Sequence, residues 1–333
     1  MNPDPQLAEA VHTASQAATA APRAAHAVPM HTLQALLDGA LAHIEQQRFV
    51  YAFRVLGAPL SSLWATLQAT GLGPAARQAC ADHPLMAWVR QDPYTERAAT
   101  KPRGYAGDAV MMDYVYAGQA PAGTSAVGAG VFAATTRAPM GLSVLFRRSL
   151  LRGYIDDTVA EKDGARILSV ASGHCREING SLVEHPGFNG ELVALDQDAL
   201  SCDEVRHSHA AHRVTVLNQS VRDLLGRGGE ALGAFDLIYS AGLYDYLPEA
   251  LAQRLTARLI GMLRPGGRLL VANFVPGGSG RGYMELFMDW TLVVRDEPSM
   301  LRLCQQAGGA GISSFLDPHR NVVYVEMSRG AAP

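Results

Sequence analysis

The residues that could do chemistry gather in a few stretches. Ile167-Leu-Ser-Val-Ala-Ser-Gly-His-Cys-Arg-Glu177 is an apolar run ending in a turn of small residues that leads into a helix. Ala171, Ser172 and Gly173 are small enough to let a ligand reach the backbone, and a helix start offers free N–H groups to an anion. The next apolar run closes on Val193-Ala-Leu-Asp-Gln-Asp198, placing Asp196 23 residues after Gly173 with Gln197 beside it. A carboxylate at that place accepts hydrogen bonds from ribose hydroxyls. Gly173 is the single glycine of the turn, which disfavours a diphosphate; a nucleoside carrying a carboxylate fits better. His174 reads as a loop or helix-start residue rather than a base.

Tyr244-Asp245-Tyr246 follows a later apolar run. Asp245 is the leading base candidate, because a carboxylate there could take an ammonium or hydroxyl proton. Asp108 and Glu285 stand behind it. For each acid the competing reading is a helix cap or a surface charge. Tyr105, Tyr244, Tyr246, Tyr283 and Trp290 are the aromatics expected near a cationic ligand, each attraction being roughly 0.5–2 kcal/mol. Tyr283, Phe287 and Trp290 fall at i, i+4 and i+7, a helical stripe that lines either a pocket or a core.

These residues need elements to position them. Apolar runs at Arg166–Ala171, Leu192–Asp196, Arg213–Leu217, Phe235–Ser240 and Arg268–Asn273 alternate with helical stretches such as Glu249–Leu263. That rhythm predicts parallel strands covered on both faces. Ile312–Leu316 and Val322–Met327 are expected to pair as an antiparallel edge. Upstream, Leu33, Leu36, Leu37, Leu41 and Ile44 recur at helical spacing. Val50–Leu67 and Ala75–Val89 continue the helical pattern, the latter as one helix or two. Lys101–Asp108 is a glycine-punctuated turn opening a helix that Asp108 could cap. Residues 118–136 read as a flexible connection. Ala138–Val159 is a long helix whose Arg147, Arg148 and Arg152 are most simply a solvated face.

The 333 residues are 48% apolar and 18% charged, which rules out wholesale disorder. Lys plus Arg is 28 against 31 Asp plus Glu, a net charge of −3, so there is no field to hold a nucleic acid. Cys80, Cys175, Cys202 and Cys304 stand far apart, suggesting neither a zinc ribbon nor a disulfide framework. No His, Asp and Cys cluster has ligand spacing, so no metal is invoked. No apolar run approaches the roughly 20 residues that span a bilayer, and the opening residues lack the pattern of a secretory signal. The expectation is a cytoplasmic protein without membrane insertion. Its partners are a small-molecule substrate and, at most, a second copy in a homodimer.

Taken in order, the motifs resemble those of class I S-adenosylmethionine-dependent methyltransferases, over about residues 140–333. Ser169-Val-Ala-Ser-Gly-His174 stands at the family's glycine-rich first motif and Asp196 at its ribose-binding acid. Asn218-Gln219 matches the place that touches adenine. Phe235-Asp-Leu-Ile-Tyr-Ser-Ala-Gly-Leu-Tyr-Asp-Tyr-Leu-Pro248 resembles the fourth-strand motif, with Ser240 and Ala241 at the cofactor. Leu263-Arg-Pro-Gly-Gly-Arg-Leu-Leu-Val271 resembles the turn before the fifth strand. The first motif departs from the pattern in its replaced glycines, and Arg176 becomes a candidate partner for the methionine carboxylate.

The resemblance implies a Rossmann-like α/β fold: a mostly parallel, seven-stranded sheet with an antiparallel edge. Pro3, Pro5, Pro22 and Pro29 break up residues 1–30, which read as a loose leader, and the helical spacing that follows gives a helical cap or substrate domain over 31–137 ahead of a cofactor domain over 138–333. Lys101–Asp108 and Arg281-Gly-Tyr-Met-Glu-Leu-Phe-Met-Asp-Trp290 resemble a bacterial branch associated with 3-hydroxy fatty acid methyl ester signals. The same branch includes synthases that cyclise S-adenosylmethionine into azetidine-2-carboxylate. The implied function is methyl transfer to a small carboxylate- or amine-bearing acceptor, a fatty-acid-derived signal or secondary metabolite, with Tyr283 and Trp290 at that acceptor. Two alternatives stay open. One is a cyclase releasing methylthioadenosine; the other is a non-catalytic regulator that senses the nucleoside.

Overall fold

The computed structural model describes residues 27–329. Most of the expected leader lies outside them, and residues 27–30 already belong to α1 (27–45). Eight further helices follow before the sheet, the first seven being α2 (Phe49–Leu56), α3 (Ala58–Ala69), α4 (Gly73–Asp82), α5 (Leu85–Val89), α6 (Pro93–Thr100), α7 (Ala109–Ala117) and α8 (Ala126–Thr136). The Ala75–Val89 stretch is thus two helices, broken where His83 turns extended ahead of Pro84. The expected connection over 118–136 is corrected. From Ala126 it is a helix, capped by the Ser125 side chain accepting from Gly128 N. Its Gly and Ala content reads as loop, but these small residues let helices approach. A Cβ on Gly128 would meet the Gln91 carbonyl, and one on Gly130 would meet the Phe49 ring.

The long α9 (Pro139–Glu161) leads into the sheet. β1 (Arg166–Val170), β2 (Glu191–Asp196), β3 (Val214–Asn218), β4 (Phe235–Ser240), β5 (Leu263–Phe274), β6 (Ala310–Leu316) and β7 (Val322–Ser328) lie in the order β3-β2-β1-β4-β5-β7-β6. The first five are parallel, and β7 runs antiparallel to both β5 and β6. This is the expected Rossmann-like class I methyltransferase sheet. The helices among the strands are α10 (Ala199–Ser208), the short α11 (Val221–Leu225) and α12 (Arg227–Glu230), α13 (Glu249–Gly261), α14 (Arg281–Phe287) and α15 (Glu297–Gln306).

Side chains alternate across the sheet with period two. Ile167, Ala194, Leu237, Tyr239, Leu270 and Tyr324 face a core shared with the upstream helices, from Leu33 and Trp64 to Phe132 and Ile155. Leu168, Val170, Leu195, Ile238, Val271 and Val325 face the other core, against Leu255, Leu259 and Leu303 of α13 and α15. Strand order reverses between β1 and β4, which leaves a crevice beyond the carboxyl ends of these strands. Among the described residues no single helix is long and apolar enough to cross a membrane; α8 and α9 pass that test only jointly, bent by 62°.

Candidate active site

The loop after β1 does not enter an α-helix as its sequence suggests. It leads into a single 3-10 turn, Arg176–Ile178, and so opens no long helix of its own. Its conformation is unusual in another way. Ala171, Gly173 and Cys175 take φ of 56°, 54° and 53°, so two residues bearing a Cβ occupy the left-handed region at a cost of order 1 kcal/mol each. The reward is a tight clasp on β2. Gly173 N donates to Asp196 Oδ2 at 2.8 Å, and Asp198 N donates to Oδ1 at 2.9 Å. Each carboxylate oxygen retains a lone pair for a ligand hydroxyl. Burial pushes the Asp196 carboxyl above its usual range.

Gln219 lines the same cavity, and its Oε1 is buried without a hydrogen-bond partner. Asn218 does not line it; its Nδ2 donates to the Asp196 carbonyl at 3.1 Å and braces the strand end. The cavity encloses about 520 Å³, within the range of small-molecule sites.

One wall is a network of paired charges. Asp113, from α7, accepts from Arg176 Nε at 2.9 Å and Nη2 at 2.8 Å, and meets His174 Nδ1 at 2.8 Å. Arg176 also reaches Glu204 of α10 at 2.8 Å. Arg103 pairs with Asp198 at 2.8 Å and touches Ser201 and His174. Burial pushes the Asp113 carboxyl up, but His174 and Arg176 outweigh it and hold it at about 2. Arg176 thus faces the cavity with its charge already answered.

The opposite wall follows β4, where Asp245, Tyr246 and Ala241 line the cavity. Asp245 Oδ1 accepts from Phe274 N at 2.7 Å and Asn273 Nδ2 at 3.0 Å. Burial pushes its carboxyl up to about 7, against the pull of Phe274 N–H and of Arg147 and Arg295. Tyr246 donates to the Ala106 carbonyl at 3.0 Å and accepts from Trp290 Nε1 at 2.9 Å. Both rings lean over Gly107, where a Cβ would stand 2.3 Å from the indole and 2.6 Å from the phenol oxygen; its φ of +78° adds strain to any side chain. Tyr105 lines the cavity nearby.

Arg147 of α9 is the residue the sequence placed wrongly. It is buried rather than on a solvated face, lines the cavity and donates to the Ala241 carbonyl. Among the described residues no carboxylate lies within ion-pair distance of it. Glu177 lines the same space, its carboxyl raised by burial and accepting from Tyr239 Oη at 2.6 Å. Val144, Arg147, Leu151 and Ile155 share the buried stripe of α9. A lone arginine on an apolar stripe was the available signal.

The structure thus brings Ala171, Ser172, Gly173, Arg176, Asp196, Gln197, Gln219, Ala241, Asp245, Tyr246, Tyr105 and Trp290 to one cavity. It does not bring there Asn218 or five other expected residues. Tyr244 is fully buried in the second core, its hydroxyl 2.7 Å from Thr256 Oγ1. Ser240 Oγ donates to the Val170 carbonyl at 3.0 Å, tying β4 to β1. Asp108 caps α7 and is forked by Arg97 at 2.7–3.0 Å. Tyr283 bonds Thr95 at 2.8 Å and stacks on Phe287. Glu285 accepts from Trp64 Nε1 at 2.9 Å and Gln68 Nε2 at 3.0 Å. The i, i+4, i+7 stripe also fails: α14 ends at Phe287, and Asp289 turns left-handed at φ 46° before Trp290. Asp113, Arg103, His174, Glu177 and Arg147 are cavity residues that spacing did not reveal.

No protein-family model matches the sequence, and no curated protein does. The chain is similar in structure to a possible exported protein from Bordetella parapertussis, with TM-score 0.55, 19% identity, and 67% of this chain and 80% of that one covered. A magnesium protoporphyrin IX methyltransferase from Synechocystis gives TM-score 0.48 and 12% identity over 70% of this chain and 100% of that one. An O-methyltransferase family protein from Burkholderia thailandensis gives 0.42 and 19% over 60% and 61%. At these identities the likeness is one of fold.

Proposed function

We propose that the cavity binds S-adenosylmethionine and that the chain transfers its methyl group to a small acceptor bearing a carboxylate, with the helices before residue 138 closing the cavity over both. The observation that carries this reading is the clasp between Gly173 N–H and the Asp196 carboxylate, beside the orphaned Gln219 Oε1. Asp196 has lone pairs left for two ribose hydroxyls, and Gln219 Oε1 offers an acceptor to an exocyclic amine. When bound, the sulfonium supplies an electrophilic methyl carbon. The protein's task is to align a nucleophile, exclude water and take a proton.

Asp245 takes the acceptor's proton. Phe274 and Asn273 hold Oδ1, which leaves Oδ2 for the transfer, and a carboxyl near 7 is matched to neutral solution. Arg147, buried and without an acid of its own, anchors the acceptor's carboxylate. Tyr105, Tyr246 and Trp290 supply aromatic surface for a cationic sulfur.

Calorimetry with S-adenosylmethionine tests the binding half: the folded chain binds it, and Asp196→Ala weakens it by more than about tenfold. Absence of binding to the folded wild type overturns the reading. Mass spectrometry tests the reaction. S-adenosylhomocysteine appearing only with an added acceptor supports transfer. Methylthioadenosine formed without an acceptor replaces transfer by cyclisation, and binding without turnover across an acceptor panel replaces it by sensing.

A further inference from the structure

Two histidines and a glutamate converge outside the cavity, where β3 begins rather than where it ends. His209 follows α10, His212 lies in the turn just before β3, and Glu184 closes the 3-10 turn Leu182–Glu184. His209 Nδ1 is 3.4 Å from Glu184 Oε1, and His212 Nε2 is 3.8 Å from the same oxygen. One ligand atom from each of the three lies within 4.8 Å of the others. The His209 side chain is 2% exposed, and neither ring nitrogen has a hydrogen-bond partner. A buried imidazole with both nitrogens idle carries a desolvation cost that a ligand would relieve.

We propose that Glu184, His209 and His212 form a site for a divalent transition cation, zinc foremost, with water as the fourth ligand. A tetrahedral ion with nitrogen and oxygen ligands at about 2.0–2.2 Å holds them roughly 3.3–3.6 Å apart. The two spacings from Glu184 Oε1 to the imidazoles, 3.4 and 3.8 Å, already approach that. Glu184 Oε2 accepts from Gly180 N at 2.7 Å, which fixes the carboxylate with Oε1 toward the imidazoles. Glu184 and His212 side chains are each 26% exposed, so solvent reaches the site. Burial lowers the His209 pKa against the opposing pull of Glu184. Arg176 works against a cation at His209, but its charge is answered by Asp113 and Glu204. Two imidazoles and one carboxylate suit zinc better than calcium or magnesium, which prefer oxygen alone. The site shares no residue with the cavity. Its role is to pin the 182–184 turn to the connection between α10 and β3.

The test takes the full chain, stripped with chelator and dialysed, and adds zinc chloride alone. Elemental analysis should find one zinc per chain, and thermal unfolding should shift up by several degrees. At zinc about one hundred times the Kd, the folded-to-unfolded ratio rises about a hundredfold. His212→Ala and Glu184→Gln alter partly exposed side chains; each should lower zinc affinity by more than about tenfold and erase the shift. Cobalt(II) in place of zinc should give the visible bands of a four-coordinate ion in the wild type and lose them in both variants. No stoichiometric zinc in the wild type overturns the proposal. So does a shift undiminished in the Glu184→Gln/His212→Ala double variant, which would put the metal elsewhere among the chain's 11 histidines.

Discussion

The two walls of the cavity treat charge in opposite ways. Beyond β1 and β2, each of Asp113, Arg176, Arg103 and Asp198 has an opposite charge within 2.8–2.9 Å. Beyond β4, Asp245 is held by a backbone N–H and an amide, and Arg147 by a backbone carbonyl. A paired charge is already stabilised and gives little new energy when a ligand arrives. A buried charge without a counter-ion is costly until something answers it, which is the condition of a group that binds or reacts. Under the proposed methyl transfer, the paired wall would position and the unpaired wall would do the chemistry.

Asp245→Asn breaks the comparison most directly. Turnover should fall about a hundredfold or more with S-adenosylmethionine affinity little changed. The wild-type rate should climb as pH rises through about 7, where the carboxyl ionises, and that midpoint should vanish in the variant. An unchanged pH–rate profile would remove Asp245 as the base. Arg147→Met should raise KM for a carboxylate acceptor by roughly tenfold or more, the worth of a charged hydrogen bond, and leave an uncharged acceptor untouched. Equal effects on both acceptors would make Arg147 structural.

On the paired wall the outcome is different in kind. Asp113→Asn should cost about 1 kcal/mol of stability in denaturant unfolding, discounted because the pair is partly exposed, with turnover changed only a few-fold. The Asp113 carboxyl is depressed in the folded state, so its contribution is present above pH about 4 and lost as pH falls through about 2. Acid unfolding of the variant should lack that increment. Tyr246→Phe should have the smallest effect, roughly 0.5–1 kcal/mol, since the ring stays and only the hydroxyl between Ala106 and Trp290 is lost. Loss of activity beyond about tenfold would give that hydroxyl a chemical task.

Much of the sheet was legible because period two and small-residue turns are local signals. Phe235–Ser240 stands where its pattern puts it, and Asp196 lies in register with the end of its strand. β5 begins earlier than read: Leu263 already pairs with Phe235, and the chain bulges through Pro265 and Gly266, the latter at φ 75°, before Arg268 rejoins β4. What stayed hidden depends on tertiary contact. Arg147 shares a run with Arg148 and Arg152, and only its place on the helical stripe of Val144, Leu151 and Ile155 distinguishes it from the other two. Trp290 reaches the cavity only because the backbone reverses at Asp289. Glu184 comes beside His209 and His212 through the sheet's connections, so no spacing rule for metal ligands applied to a short window finds them.

Gly107 shapes the cavity without offering it a side chain. It carries no side chain, yet it supports the indole and phenol above it. A methyl group there would collide with Trp290 and Tyr246 and force both rings to shift, changing the shape of the cavity they line. Trimming Trp290 would enlarge it. If the cavity holds an acceptor, the breadth of molecules admitted would be governed less by groups that bind them than by how closely two rings settle onto bare backbone.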